Sequence, residues 1–94
     1  MPNYYSYWGN NMPYIVEKRK QVIQPLVENL VRELESDGEV NFAITKIIDG
    51  VYNRNSYSKY NSAIGVLTCV ILEYYRRRIQ LYEDNKIISN GDVF

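Results

Sequence analysis

The stretch SKYNSAIGVLTCVILEYYRRRIQLYEDNK, residues 58–86, decides the fold. Within it Tyr60, Ile64, Leu67, Ile71, Tyr74, Arg78 and Leu81 recur at intervals of 4, 3, 4, 3, 4 and 3. That spacing is the seam of a coiled-coil helix, so one long helix is expected over about 58–86, capped by Ser58 or Ser56. At 1.5 Å per residue it extends roughly 43 Å, whereas a globule of 94 residues is only about 30–35 Å across. Part of the helix must then project and pack on a sister chain. The expectation is a homo-oligomeric helical assembly.

Upstream, the same 3.6-residue period recurs twice. Leu26, Val27, Leu30, Val31 and Leu34 form one apolar face, with Glu28, Asn29, Arg32, Glu33 and Glu35 outside it. Gln24-Pro25 is expected to open this helix, because proline is tolerated at the first helical position. One or two turns over Glu17–Ile23 would precede it. Ser36-Asp37-Gly38 is expected to stop it. Asn41 is expected to cap the next helix, carried by Ala43, Ile44, Ile47, Ile48, Val51 and Tyr52. Asn53-Arg54-Asn55-Ser56 ends that one. The expected fold is therefore all-α, three to four helices with a long C-terminal helix. Residues 13–94 read as one helical domain, and residues 1–12 as a flexible polar-aromatic arm. The tail after Lys86 carries a turn signal at Asn90-Gly91 and an apolar end expected to fold back on the helix.

Composition limits what such a chain can do. A domain this small buries only about 60–65% of its unfolded surface and needs a staple or a partner. Cys69 is alone and histidine is absent, which removes disulfides and makes a zinc site improbable on donor chemistry. Oligomerisation is the remedy left. With 11 basic and 11 acidic residues the formal net charge is zero, against the basic excess of general nucleic-acid binders. The longest apolar run, Ala63–Leu72, is about half of a bilayer crossing, and no secretory signal is apparent. A cytoplasmic protein is expected.

Catalytic constellations are missing. There is no histidine for a neutral-pH base. Cys69 lies inside VLTCVIL, where a packed, inert thiol is expected. The five glycines form no phosphate-cradling loop. No enzyme and no cofactor are expected. Gly65, inside a helical run, is expected to receive another helix against its bare backbone.

Tyrosine is the outlier, at ten residues, and such rings suit partner and ligand surfaces. Glu73 and Arg77 stand at i, i+4 in the favourable order, while Arg76 reads as solvated. Tyr74, Arg78 and Tyr82 follow at i, i+4, i+8. A guanidinium between two phenol rings can stack on a planar group and fork-bond a phosphate or carboxylate. The alternative is an interchain ion pair from Arg78 to Glu83 or Asp84. The candidate ligand set is Tyr74, Arg78 and Tyr82, supported by Tyr75 and Arg77, with Lys18 or Arg19 from a neighbour. Lys18-Arg19-Lys20 alternatively form a solvated helix end.

MPYI at 12–15, VNFAITKII at 40–48, IGVLTCVILEYYRRR at 64–78 and the YEDNKI–NGDVF tail at 82–94 resemble a group of small tailed-bacteriophage proteins of unknown function. The resemblance covers Met12–Phe94 and marks residues 1–11 as an extension. Leu81 stands where many members carry proline, which favours an uninterrupted helix. The resemblance implies a phage setting and the host bacterial cytoplasm, but no catalytic residues or cofactors. Small non-catalytic phage proteins include sponges for nucleotide immune signals, inhibitors or recruiters of host proteins, and assembly factors. The Tyr/Arg stripe favours the first, a nucleotide-binding anti-defence protein. The partners expected are other copies of the chain and a small anionic nucleotide, with no membrane and no general nucleic acid.

Overall fold

The structure is a computed structural model and describes residues 14–94. The N-terminal arm at 1–12 lies outside the described residues. Those residues are helical, in the order α1 (Glu17–Glu33), α2 (Asp37–Tyr52), α3 (Tyr57–Tyr74), a π-helical turn (Tyr75–Ile79) and α4 (Gln80–Asn90). The last three run on without interruption, so the long C-terminal helix extends beyond 58–86 at both ends. Two units are distinguished, one ending at Asn41 and one spanning Phe42–Phe94.

In the first unit, α1 corrects the expected start at Gln24-Pro25, because Pro25 lies inside the helix. Proline removes one backbone N–H and leaves the carbonyl four residues earlier, that of Gln21, without its helical donor. Gln21 is exposed, where water serves that carbonyl. Across the same turn the Gln24 amide donates to the Glu28 carboxylate at 3.1 Å. Nothing else between Glu17 and Gln24 opposes a helix, and the chain continues through.

The helix α2 starts four residues before the expected cap at Asn41. Ser36 accepts from the Glu39 N–H at 3.1 Å, and the Glu39 carboxylate accepts from the Glu35 N–H at 2.7 Å. This is a capping box built on Ser36-Asp37-Gly38-Glu39, shifted by one residue on its return bond. The segment expected to stop α1 is thus the start of α2. Ser36→Ala should destabilise the chain by about 1 kcal/mol, read as a lower thermal midpoint by circular dichroism. An unchanged midpoint would show that the cap carries no stability.

In the second unit, Asn55 turns the chain with φ +50°, a region that asparagine tolerates better than most residues. Ser56 caps α3, accepting from the Lys59 N–H at 3.4 Å. The helix ends at Asn90, beyond the expected end at about Lys86 and at the turn signal Asn90-Gly91. Gly91 has φ +88° and donates its N–H to the Ile87 carbonyl at 2.8 Å.

Packing departs further from expectation. Among the described residues only Ala63 is buried, at 6% exposure. Ile71, in the middle of the apolar run, is 67% exposed. Cys69 is exposed rather than packed, since its helix face meets no other helix among the described residues. Apart from its own helix backbone and chain neighbours, no described atom lies within 4 Å of where a Cβ on Gly65 would stand, so the described residues set no helix against it. Val93 and Phe94 are exposed, and the tail does not fold back. Among the described residues no helix is long and apolar enough to cross a membrane.

Candidate functional site

The π-helical turn carries the sequence YRRRI. Its signature is the Gln80 N–H bonded to the Tyr75 carbonyl five residues back. Such wide turns insert one residue into an α-helix, and they recur at functional sites. The insertion changes which side chains share a face. In a straight α-helix, residues eight apart differ by about 80° around the axis. One extra residue in the turn leaves seven effective steps, within about 20° of alignment.

The Tyr75 hydroxyl shows the consequence, donating to the Glu83 carboxylate at 3.1 Å, eight residues away. By the same displacement Tyr74 and Tyr82 come into line, with Arg78 on the turn between them. Both rings are open to solvent, at 61% and 62% exposure. The wide turn also breaks the seam read from Tyr60 to Leu81. Beyond Tyr74 the exposures mark no continued seam, with Ile79 at 37%, Leu81 at 59% and Tyr82 at 62%.

The three arginines differ. Glu73 takes Arg76 at 3.0 Å and Arg77 at 2.9 Å. Arg76 is thus ion-paired rather than merely solvated, and the expected Glu73–Arg77 pair is present. Arg78 has no hydrogen bond, ion pair or ring contact within the described residues. It is the member of the triplet whose charge no carboxylate answers.

Charge follows the same geometry. The Arg76 guanidinium, then Arg77, holds the Glu73 carboxyl below its ordinary range. The depressed value means that the pair's contribution is present above the ordinary carboxylate pKa and is lost as pH falls through the lowered one. The pair's exposure to solvent makes that contribution small. The hydrogen bond to Glu83, and then its charge, pushes the Tyr75 phenol up from its ordinary value. That contribution is present below pH ~10 and is lost as pH rises through the raised value.

Of the remaining candidates, Lys86 lies 5.5 Å from the centre of the Tyr82 ring, so a cation occupies one face of that ring. Lys18 and Arg19 stand in the first turn of α1, in the unit that ends at Asn41. The Lys20 ammonium is 3.8 Å from Glu17.

A second feature was not anticipated. Between α2 and α3, Ile44, Ile48, Tyr52, Tyr60, Ala63 and Leu67 line a groove of about 260 Å³. Within its lining the Tyr60 hydroxyl donates to Asn53 at 3.1 Å. These residues were legible as two helix stripes; only the turn at Asn53–Ser56 brings them to face each other. No group of three or more potential metal-ligating side chains occurs among the described residues.

A family model described as "Domain of unknown function (DUF6899)" matches residues 12–93, close to the Met12–Phe94 span of the resemblance. No curated protein and no solved structure matches the chain.

Proposed function

The chain belongs to the DUF6899 family, a domain of unknown function, and from that premise we propose that it is a non-catalytic phage protein that binds and holds a nucleotide. The ligand class is a cyclic or modified nucleotide that signals host immunity, and sequestering it in the host bacterial cytoplasm antagonises anti-phage defence. The acting form is a homo-oligomer. Arg78 supplies the phosphate contact, and Tyr74 and Tyr82 supply flat surfaces for bases. Tyr75 and Arg77 hold the turn in shape, and Lys18 or Arg19 of a neighbour adds charge.

One observation carries this reading: an uncompensated guanidinium stands on a wide helical turn between two exposed tyrosines that the same turn aligns. Stacking and fork-like phosphate contacts together are the chemistry of single-stranded nucleotide recognition. Thermal denaturation with cyclic dinucleotides, cyclic trinucleotides and ADP-ribose derivatives tests it. A ligand at 100 times its dissociation constant should add about 2.7 kcal/mol and raise the midpoint by several degrees. A flat response across that panel would sink the proposal.

The competing reading is a protein-binding module that inhibits or recruits a host protein. The face of α1 favours it, with Leu26 at 64% and Val31 at 60% exposure. Deleting residues 1–11 and capturing partners from host lysate separates the two readings. Nucleotide binding should survive the deletion, whereas an arm-dependent partner should be lost. An assembly factor, for which oligomerisation is itself the role, would retain its function without Arg78.

A further inference from the structure

We infer that the α2–α3 groove is a self-association surface, occupied by the same groove of a second copy. This goes beyond the nucleotide site, which lies further along the rod, and it rests on the homo-oligomeric reading above. At about 260 Å³ the groove falls short of the 300–1,000 Å³ typical of small-molecule pockets. Its lining is aliphatic and aromatic, the kind of surface that receives side chains of another helix.

The surface around it is the size that a copy would cover. Ile44 and Tyr60 in the groove wall, and Ile64 and Ile71 on the same stripe of α3 as Tyr60 and Leu67, stand at 44–67% exposure. With Ile48, Tyr52 and Leu67 only partly covered, they present on the order of 500 Å² of apolar surface. That is about one partner's apolar share of a standard protein–protein interface.

Two further points select a copy over another protein. The formal net charge is zero, so copies approach without net repulsion. Asp49 on the rim, and Lys59 beside Tyr60, are not ion-paired within the described residues. A twofold arrangement allows the acid of one copy to meet the base of the other. Moreover, with Ala63 alone buried among the described residues, this surface needs cover whenever the chain is folded. A second copy is present wherever the chain is made. Two such corners packed groove to groove give a four-helix core.

Sedimentation velocity of the full chain at micromolar concentration, without nucleotide, tests the inference. The expected mass is at least twice the 11.1 kDa of the chain. Leu67→Glu should weaken association at least 100-fold, while Ile88→Glu, on exposed α4, should leave it unchanged. Because Leu67→Glu also puts a charge on a partly covered helix face, crosslinking is the second measurement, independent of that variant's folding. Ile44→Cys in a Cys69→Ser background should join two copies through a short bis-maleimide. A folded wild-type chain sedimenting as a single copy overturns the inference, as does an oligomer that gives no Ile44→Cys crosslink. Neither result depends on nucleotide, so failure here is distinct from failure of the thermal-shift panel.

Discussion

Arg78→Ala should weaken nucleotide binding by roughly 10- to 150-fold, the equivalent of about 1.5–3 kcal/mol for a hydrogen bond to a charged group. The neighbouring Arg77→Ala should lose less, because Glu73 already holds that guanidinium at 2.9 Å. The sequence already pairs Arg77 with Glu73 and sets Arg78 on the tyrosine stripe, and the structure adds Arg76 to the same carboxylate. Glu73 reaches back to positions three and four residues ahead of it, but not five. Isothermal titration with whichever nucleotide raises the melting temperature most provides the measurement. Unaltered affinity in Arg78→Ala would remove that residue from the site, and with it the reason for choosing a phosphate-bearing ligand.

Inserting one alanine after Ile79 should have an effect of similar size by a different route. The wide turn stays, but the segment beyond it gains one helical step. The rod stays helical, while everything after the insertion rotates by about 100° relative to Tyr74. Tyr82 then leaves the line of Tyr74, and one stacking surface is lost. Base–aromatic stacking contributes about 1–3 kcal/mol, so a 5- to 150-fold loss of affinity is expected. The Tyr75–Glu83 hydrogen bond should break as well, and this has its own readout. Tyr75, pushed up by Glu83, should return towards its ordinary value in an ultraviolet titration of the tyrosines. An insertion variant with unchanged helicity, unchanged titration and unchanged affinity would show that the alignment of Tyr74 with Tyr82 has no part in the site.

Much of the fold was readable because its signals are local. Ser56 before a periodic run, the 4–3 spacing from Tyr60 to Tyr74 and glycine after Asn90 each act within about two helical turns. The boundary of α2 was also present, as Ser36 and Glu39 three residues apart. It was obscured because Ser-Asp-Gly resembles a stop as readily as a start. Pro25 misled for a related reason. The rule that proline opens helices describes where it is cheapest, not the only place an exposed helix can carry it.

The candidate site was legible in its residues but not in its geometry. Tyr74, Arg78 and Tyr82 were visible as a stripe, yet in a straight helix that stripe drifts by about 80°. The burial of Cys69 was misjudged because an apolar neighbourhood in sequence does not guarantee a neighbour in space. Its helix face is open among the described residues.

The sequence by itself determined that this protein is helical and which side chains line each stripe, since those follow from backbone hydrogen bonding and side-chain period over a few residues. The tertiary structure alone decided the wide turn that aligns Tyr74 with Tyr82 and the corner that sets α2 against α3. Both rest on contacts between residues seven or more positions apart, Tyr75 with Glu83 and Asn53 with Tyr60. A balance between such contacts and one local backbone bond is not written in any single helical turn.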